Sequence, residues 1–360
     1  MAYFPESTII TTKDGLHCQV YISDHPNGVI IVKPKYIPTD KIHSSALPYR
    51  YIGGTRMNRL NMWINAAALK KYIADFKKAY PGYIYESPSH RNWFFAVPRE
   101  KIEKVYDPRQ GLKELMKMPR KGLDPHLKNV VGLIVFLTRS GVSLKDMGVT
   151  YSTLVGQYFS GISDINIVMY GKNNFWRTMK FLEKARHPSL RWKTNAEWID
   201  YHKKRGRALQ LAEDEFLFHS RRKYWEGFWN NNLFLVFGVE KEKELSSRWG
   251  SEQYEPVGVF KGRGIVASNM NSGVRPGSYE LKNGSVVGLK HQTLPLKQIV
   301  FYSRNFVAQA KKGELIEAQG MLERVTPRQG KKFYRIVVGY FDSFLSDRRK
   351  REYIKTIKNR

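Results

Sequence analysis

The chain is predicted to be an α+β protein, on three observations. Short β-branched and aromatic runs bounded by turn residues fill both ends of the chain. Apolar stripes at helical spacing occupy its middle. A composition of 42% hydrophobic and 13% aromatic residues is enough for packed cores. At 360 residues the chain is long for one domain. Composition shifts divide it into an N-terminal α+β unit (1–107), a central mixed sheet with helices (108–240) and a C-terminal β-barrel-like or sandwich domain (253–345). A basic tail (346–360) follows.

The N-terminal unit opens with strands. Ile9-Ile10 leads through Lys13-Asp14-Gly15, a hairpin signal, into the alternating run His17 to Ile22. Pro26-Asn27-Gly28 turns the chain into Val29 to Val32. A helix is predicted over 62–79, stopped by Pro81-Gly82. Tyr83 to Tyr85, Trp93 to Val97 and Ile102 to Tyr106 are strands. No catalytic motif is visible here.

In the central unit Leu112, Leu115 and Met116 suit a short helix. Asp124-Pro125 is an N-cap with proline at the first helical position. Leu127, Val130, Val131, Ile134 and Leu137 recur at i, i+3, i+4, i+7, so this helix packs in a core and Gly141 stops it. Ile165 to Tyr170 and Leu233 to Val239 are apolar buried strands, predicted to be neighbours; Lys172 to His187 is a helix. Residues 193–225 form two helical segments whose aromatics pack inward. Residues 240–252 are polar and charged, a linker. Beyond them lie strands at Val257 to Val266, Ser285 to Leu289, Gln298 to Tyr302, Glu314 to Arg324 and Phe333 to Gly339.

Charge points to the partner. With 61 Lys plus Arg against 32 Asp plus Glu, the formal net charge is +29, which attracts polyanions, RNA above all. Candidate nucleic-acid contacts are Lys203, Lys204, Arg205 and Arg207, the run Arg221-Arg222-Lys223, and Arg348, Arg349, Lys350 and Arg351 of the tail. The lone Cys18 excludes an internal disulfide, and no Cys/His cluster has metal-ligand spacing. No leader pattern and no membrane-length apolar run is present, so a cytoplasmic protein with no membrane partner is expected.

One stretch carries chemistry. After Gly148-Val149-Thr150 comes Tyr151-Ser152-Thr153, then Ser163-Asp164-Ile165-Asn166 at the head of the next strand. This layout resembles the DNA polymerase beta-like nucleotidyltransferase superfamily, and the whole chain resembles its archaeal predicted members. Lys13-Asp14-Gly15, Phe306 to Ala310, Gly320 to Val325 and Tyr334 to Gly339 extend the likeness. The resemblance implies Ser152 and Thr153 at a nucleotide's phosphates, and Asp164 as ligand of Mg²⁺. It also implies a second carboxylate where Asn166 stands, a glycine where Tyr151 stands, and a third acid on the 233–239 strand. Asparagine offers only a neutral oxygen, and a tyrosine crowds a turn where backbone should approach phosphate. The expectation is therefore an RNA-binding protein with a degenerate catalytic centre and no cofactor. Ribosomal RNA (a ribosome-associated role) and tRNA are both open. The alternatives are an active Mg²⁺-dependent nucleotidyltransferase and an adaptor or assembly protein.

Overall fold

Alternating strands build the first sheet of this α+β fold. The structure, a computed structural model, describes residues 3–62, 65–204 and 210–357. The N-terminal elements are β1 (Ile9–Thr12), β2 (His17–Val20), β3 (Val29–Pro38), β4 (Tyr49–Ile52), β5 (Thr55–Arg59), α1 (Ala66–Ala79), β6 (Ile84–Ser87), β7 (Asn92–Pro98) and β8 (Ile102–Tyr106). The sheet runs β4-β5-β3-β2-β1-β8, with β7 on β3 and β6 on β7. Gly15 turns β1 into β2 at φ +79°, a conformation free to glycine. Asn65 caps α1 by accepting from the amides of Ala67 and Ala68. That helix buries Leu69, Tyr72, Ile73 and Phe76. β3 is much longer than the predicted Val29 to Val32. Its prolines sit at Pro34 and Pro38, and it changes partner from β7 to β5 along its length, which accommodates them.

The central elements are α2 (Pro108–Lys117), α3 (Pro125–Thr138), β9 (Met147–Val149), α4 (Tyr151–Leu154), β10 (Ile165–Tyr170), α5 (Lys172–Lys184), β11 (Leu190–Arg191), α6 (Asn195–Lys204), α7 (Glu213–Ser220), β12 (Glu226–Trp229) and β13 (Asn232–Val239). Their sheet is mixed, ordered β11-β12-β13-β10-β9, and only the β10–β13 pair is parallel. Every residue of β10 is buried, which explains its unbroken apolar run. The predicted stripe of α3 does pack here: Val130, Ile134 and Leu137 share a core with Ile165, Ile167 and Val236. Trp198 and Tyr201 pack on Leu211 and Phe216, as inward-facing aromatics should.

The last elements are β14 (Glu252–Ser268), β15 (Gly277–Val287), β16 (Leu296–Phe301), β17 (Leu315–Pro327), β18 (Phe333–Val338) and β19 (Tyr353–Thr356). They form one curled sheet, β14-β15-β16-β18-β17-β19, in which β14 also pairs with β17. It is neither a barrel nor a two-sheet sandwich. Alternate residues of β16 serve two cores. Ile299 and Phe301 pack with the central unit, while Val300 and Tyr302 just beyond it pack with the N-terminal one.

Two expectations are corrected. Residues 240–252 are a seam rather than a free linker: Glu240 is buried and pairs with Lys172 at 2.8 Å, and Trp249 lies 4.5 Å from the His90 ring. The tail is woven in as well, because β19 pairs with β17 and supplies a buried Ile354. Among the described residues no helix is long and apolar enough to cross a membrane.

Candidate functional site

The sharp turn between β9 and α4 brings the motif residues together. Thr150 links β9 to α4, its amide donating to the Asn166 carbonyl at 3.1 Å and its hydroxyl to the Ser7 carbonyl at 2.6 Å. Tyr151 follows at φ +56°, a left-handed conformation that glycine adopts without strain and a bulky residue seldom adopts. So the turn keeps the backbone shape of a glycine position while carrying a tyrosine. The side chain is held in place. Its hydroxyl accepts from Gln19 Nε2 at 2.8 Å, and its ring lies 5.9 Å from Phe237.

Ser152, Asp164 and Asn166 line one cleft of about 440 Å³ between the N-terminal and central units. Asp164 and Asn166 are two residues apart at the head of β10, so strand geometry gives them one side. The Asn166 amide donates to the Asp164 carbonyl at 3.2 Å. The neighbouring strand β13 contributes Leu235 and Phe237 and no acid.

The opposite wall comes from the N-terminal unit, where no functional residue was expected. Lys33 and Lys35 project from β3, and Arg50 and Arg59 from the β4–β5 hairpin. These four cations face a single carboxylate, and among the described residues none of them forms an ion pair. Burial pushes the Lys35 amine down to about 7, helped by Arg59, Lys33 and Arg50. Lys33 falls to about 8, from burial and then the charges of Arg275 and Arg59. The Asp164 carboxyl is shifted upward by desolvation between the cleft walls, against the pull of Lys193, Arg59 and Lys35. Lys35 also lies 4.6 Å above the Tyr151 ring. The alternation of Lys33 and Lys35 in a strand was the available sequence signal; two prolines in the same run obscured it.

These groups do not suit a magnesium ion. Mg²⁺ wants hard anionic oxygens in octahedral array, and here Asp164 is the one carboxylate among neutral amide and hydroxyl groups, facing two lysines and two arginines. Among the described residues no group of three or more His, Cys, Asp or Glu could hold a metal.

The other predicted residues fall elsewhere. Thr153 turns away from the cleft, is buried, and bonds to His126 Nε2 at 2.9 Å, so it is not placed to touch phosphate. Arg222 pairs with Glu314, and Lys223 donates to the Asn305 carbonyl at 2.6 Å. Both tie the central unit to the C-terminal sheet. Arg348 is likewise engaged, with Asp342 at 2.5 Å and Glu352 at 2.9 Å, and Arg349 donates to the Met62 carbonyl at 3.0 Å. Lys350 pairs at the surface with Asp347, and Lys204 with Asp200. Lys203, Arg221 and Arg351 are exposed. Arg205 and Arg207 lie outside the described residues.

The chain was compared with known proteins. No family model matches it, and no solved structure does. It is similar to the uncharacterized protein MJ1086 of Methanocaldococcus jannaschii, 26% identical over 336 residues that span 92% of this chain and 94% of that one.

Proposed function

We propose that this is an RNA-binding cytoplasmic protein built on a nucleotidyltransferase-like scaffold whose catalytic centre has lost its chemistry and needs no metal. One observation carries the reading: the cleft holding Ser152, Asp164 and Asn166 presents four unpaired cations to one carboxylate. A metal-dependent transferase needs the reverse, carboxylates that gather cations around a triphosphate. Phosphate bound by lysine and arginine needs no ion to bridge it. The overall charge of +29 supports the same partner, because each phosphate neutralised releases a counterion.

The test has two arms. Purification with nucleic acid retained, followed by sequencing, should recover RNA; protein partners without nucleic acid would favour the adaptor reading instead. Transfer from each nucleoside triphosphate to RNA, with Mg²⁺ or Mn²⁺, should be absent. Metal-dependent turnover would refute the degenerate-centre reading.

A further inference from the structure

At the cleft mouth, apolar surface stands where folding does not need it. Phe159 and Ile162, between α4 and β10, are 57% and 81% exposed, and both line the cleft. Their segment is a closed turn: the Phe159 amide donates to Ser163 Oγ and the Ser163 amide to the Phe159 carbonyl, each at 2.9 Å. Tyr158 anchors it, its hydroxyl donating to Asp124 at 2.5 Å and its ring stacked 4.5 Å from His126. With Tyr158 drawn inward, Phe159 is held outward. Across the mouth the Arg50 guanidinium lies over the Phe159 ring at 5.4 Å. Lys33, Lys35 and Arg59 line the same cleft.

We infer that this mouth takes one nucleotide of single-stranded RNA, its base stacked on Phe159 beside Ile162 and its phosphate held by Lys33, Lys35 and Arg59. This inference rests on the RNA-binding reading and names the form of RNA. An exposed aromatic face beside unpaired cations is what an unpaired nucleotide offers surfaces to: a flat base and a charged phosphate. A duplex keeps its base faces covered by their neighbours, so it can use the cations but not the ring. A volume of about 440 Å³ lies in the range of small-ligand sites and admits no double helix.

The experiment measures binding in EDTA of a fluorescent single-stranded RNA, the blunt duplex of the same sequence, and inorganic polyphosphate, an anion without bases. The proteins are the wild type, Phe159→Ala, Phe159→Trp and Arg59→Glu. Phe159→Ala should weaken the single strand roughly five- to hundredfold, the span seen for loss of one base stack. It should leave polyphosphate binding and the salt slope unchanged, and Phe159→Trp should restore the wild-type affinity. Arg59→Glu should weaken all three ligands and flatten the salt slope. A Phe159→Ala protein that binds single-stranded RNA as the wild type does would overturn the stacking site, as would equal affinity for duplex and single strand. If no RNA binds while polyphosphate does, the RNA reading itself falls.

Discussion

Two groups of basic residues in this protein have similar composition and opposite surroundings. At the seam of the three units, Arg304 and Arg275 converge on the fully buried Glu6: Arg304 donates to its carboxylate and to Ser7 Oγ, and Arg275 lies 3.3 Å from it. The Arg304 guanidinium also sits 3.9 Å above the Phe237 ring. In the cleft that Phe237 also lines, Lys33, Lys35, Arg50 and Arg59 share one acid, Asp164, and among the described residues form no ion pair. A buried arginine without a counter-charge is too costly to keep, so the seam cations are paired. The cleft cations stay half-solvated and repel one another, an arrangement that an arriving phosphate relieves. A surplus of positive charge in a sequence thus divides into residues paired within the fold and residues that no acid claims, and tertiary contacts decide which is which.

Substituting Glu6→Gln sharpens this contrast with the largest effect. It leaves two arginines buried against a neutral amide, and unfolding free energy should drop by about 3–5 kcal/mol. Urea denaturation measures it; a loss under about 1 kcal/mol would mean that water reaches the seam and the pairing is not structural.

Acid should act first through buried histidines, one inside the N-terminal unit and one joining the central unit to the C-terminal sheet. His25 accepts the Ile31 amide at Nδ1 and meets the Phe4 carbonyl at Nε2, each at 3.0 Å. His219 accepts the Thr356 amide at Nε2 and meets the Gln309 carbonyl through Nδ1. Each ring is held neutral with one nitrogen committed as acceptor, and burial pushes the two down to about 4 and about 3. The sign follows from proton counting. The unfolded rings titrate near 6.5, so the unfolded state binds more protons below that pH and stability falls as pH falls. Above 6.5 the contribution is complete. Between pH 6.5 and 5 each histidine should cost about 2 kcal/mol, read from denaturation midpoints across that window. The stability of His219→Gln should fall by about 2 kcal/mol less than that of the wild type over the range, His25 still titrating; a fall equal to the wild type's would remove His219 from the effect.

The fold was largely legible, the cleft only in half. Unbroken apolar runs announced β10 and β13 because both of their faces are covered, and Asp124-Pro125 announced α3 because capping is local chemistry. Ser152, Asp164 and Asn166 were legible for the same reason: their spacing lies within one turn and one strand. Lys33, Lys35, Arg50 and Arg59 were not, because they reach the cleft from another unit through tertiary packing. Arg222 and Lys223 show the converse. A basic triplet looks solvated in sequence, yet Glu314 and the Asn305 carbonyl, far along the chain, claim two of its members. The β4–β5 hairpin turns through Gly53-Gly54 and exposes Tyr49 and Tyr51 on its outer side, so it lacks the buried stripe that marks a strand.

Reversing a cleft charge tests the other half of the contrast. Lys35→Glu should lower RNA affinity about tenfold at low salt and reduce the slope of log affinity against log salt by about 0.7 per lost phosphate contact. Melting temperature should stay level or rise, since the substitution relieves repulsion from Lys33, Arg50 and Arg59. The wild type should also bind more weakly as pH rises through 7 to 8, where Lys35 and Lys33 lose their protons. That trend should vanish in Lys33→Arg/Lys35→Arg, whose guanidiniums stay charged. Salt-independent affinity would sink the electrostatic reading.

The smallest effect is the most discriminating, because the two readings of Asp164 predict opposite signs. In a transferase Asp164 would hold the metal, so Asp164→Asn would abolish turnover. In a cleft built for phosphate it is the one repulsive group, and removing its charge should help. At the effective dielectric of a solvated cleft the gain is about 0.5–1 kcal/mol, a roughly two- to fivefold tighter complex in EDTA. Asn166→Asp should do the reverse: a second carboxylate weakens RNA binding by a similar factor. It should still give no transfer with Mg²⁺, because Tyr151 continues to fill the turn where a triphosphate would meet backbone. Robust transfer from Asn166→Asp alone would show that the tyrosine tolerates a nucleotide. The centre would then be one charge away from activity, and the four cations would be its triphosphate clamp.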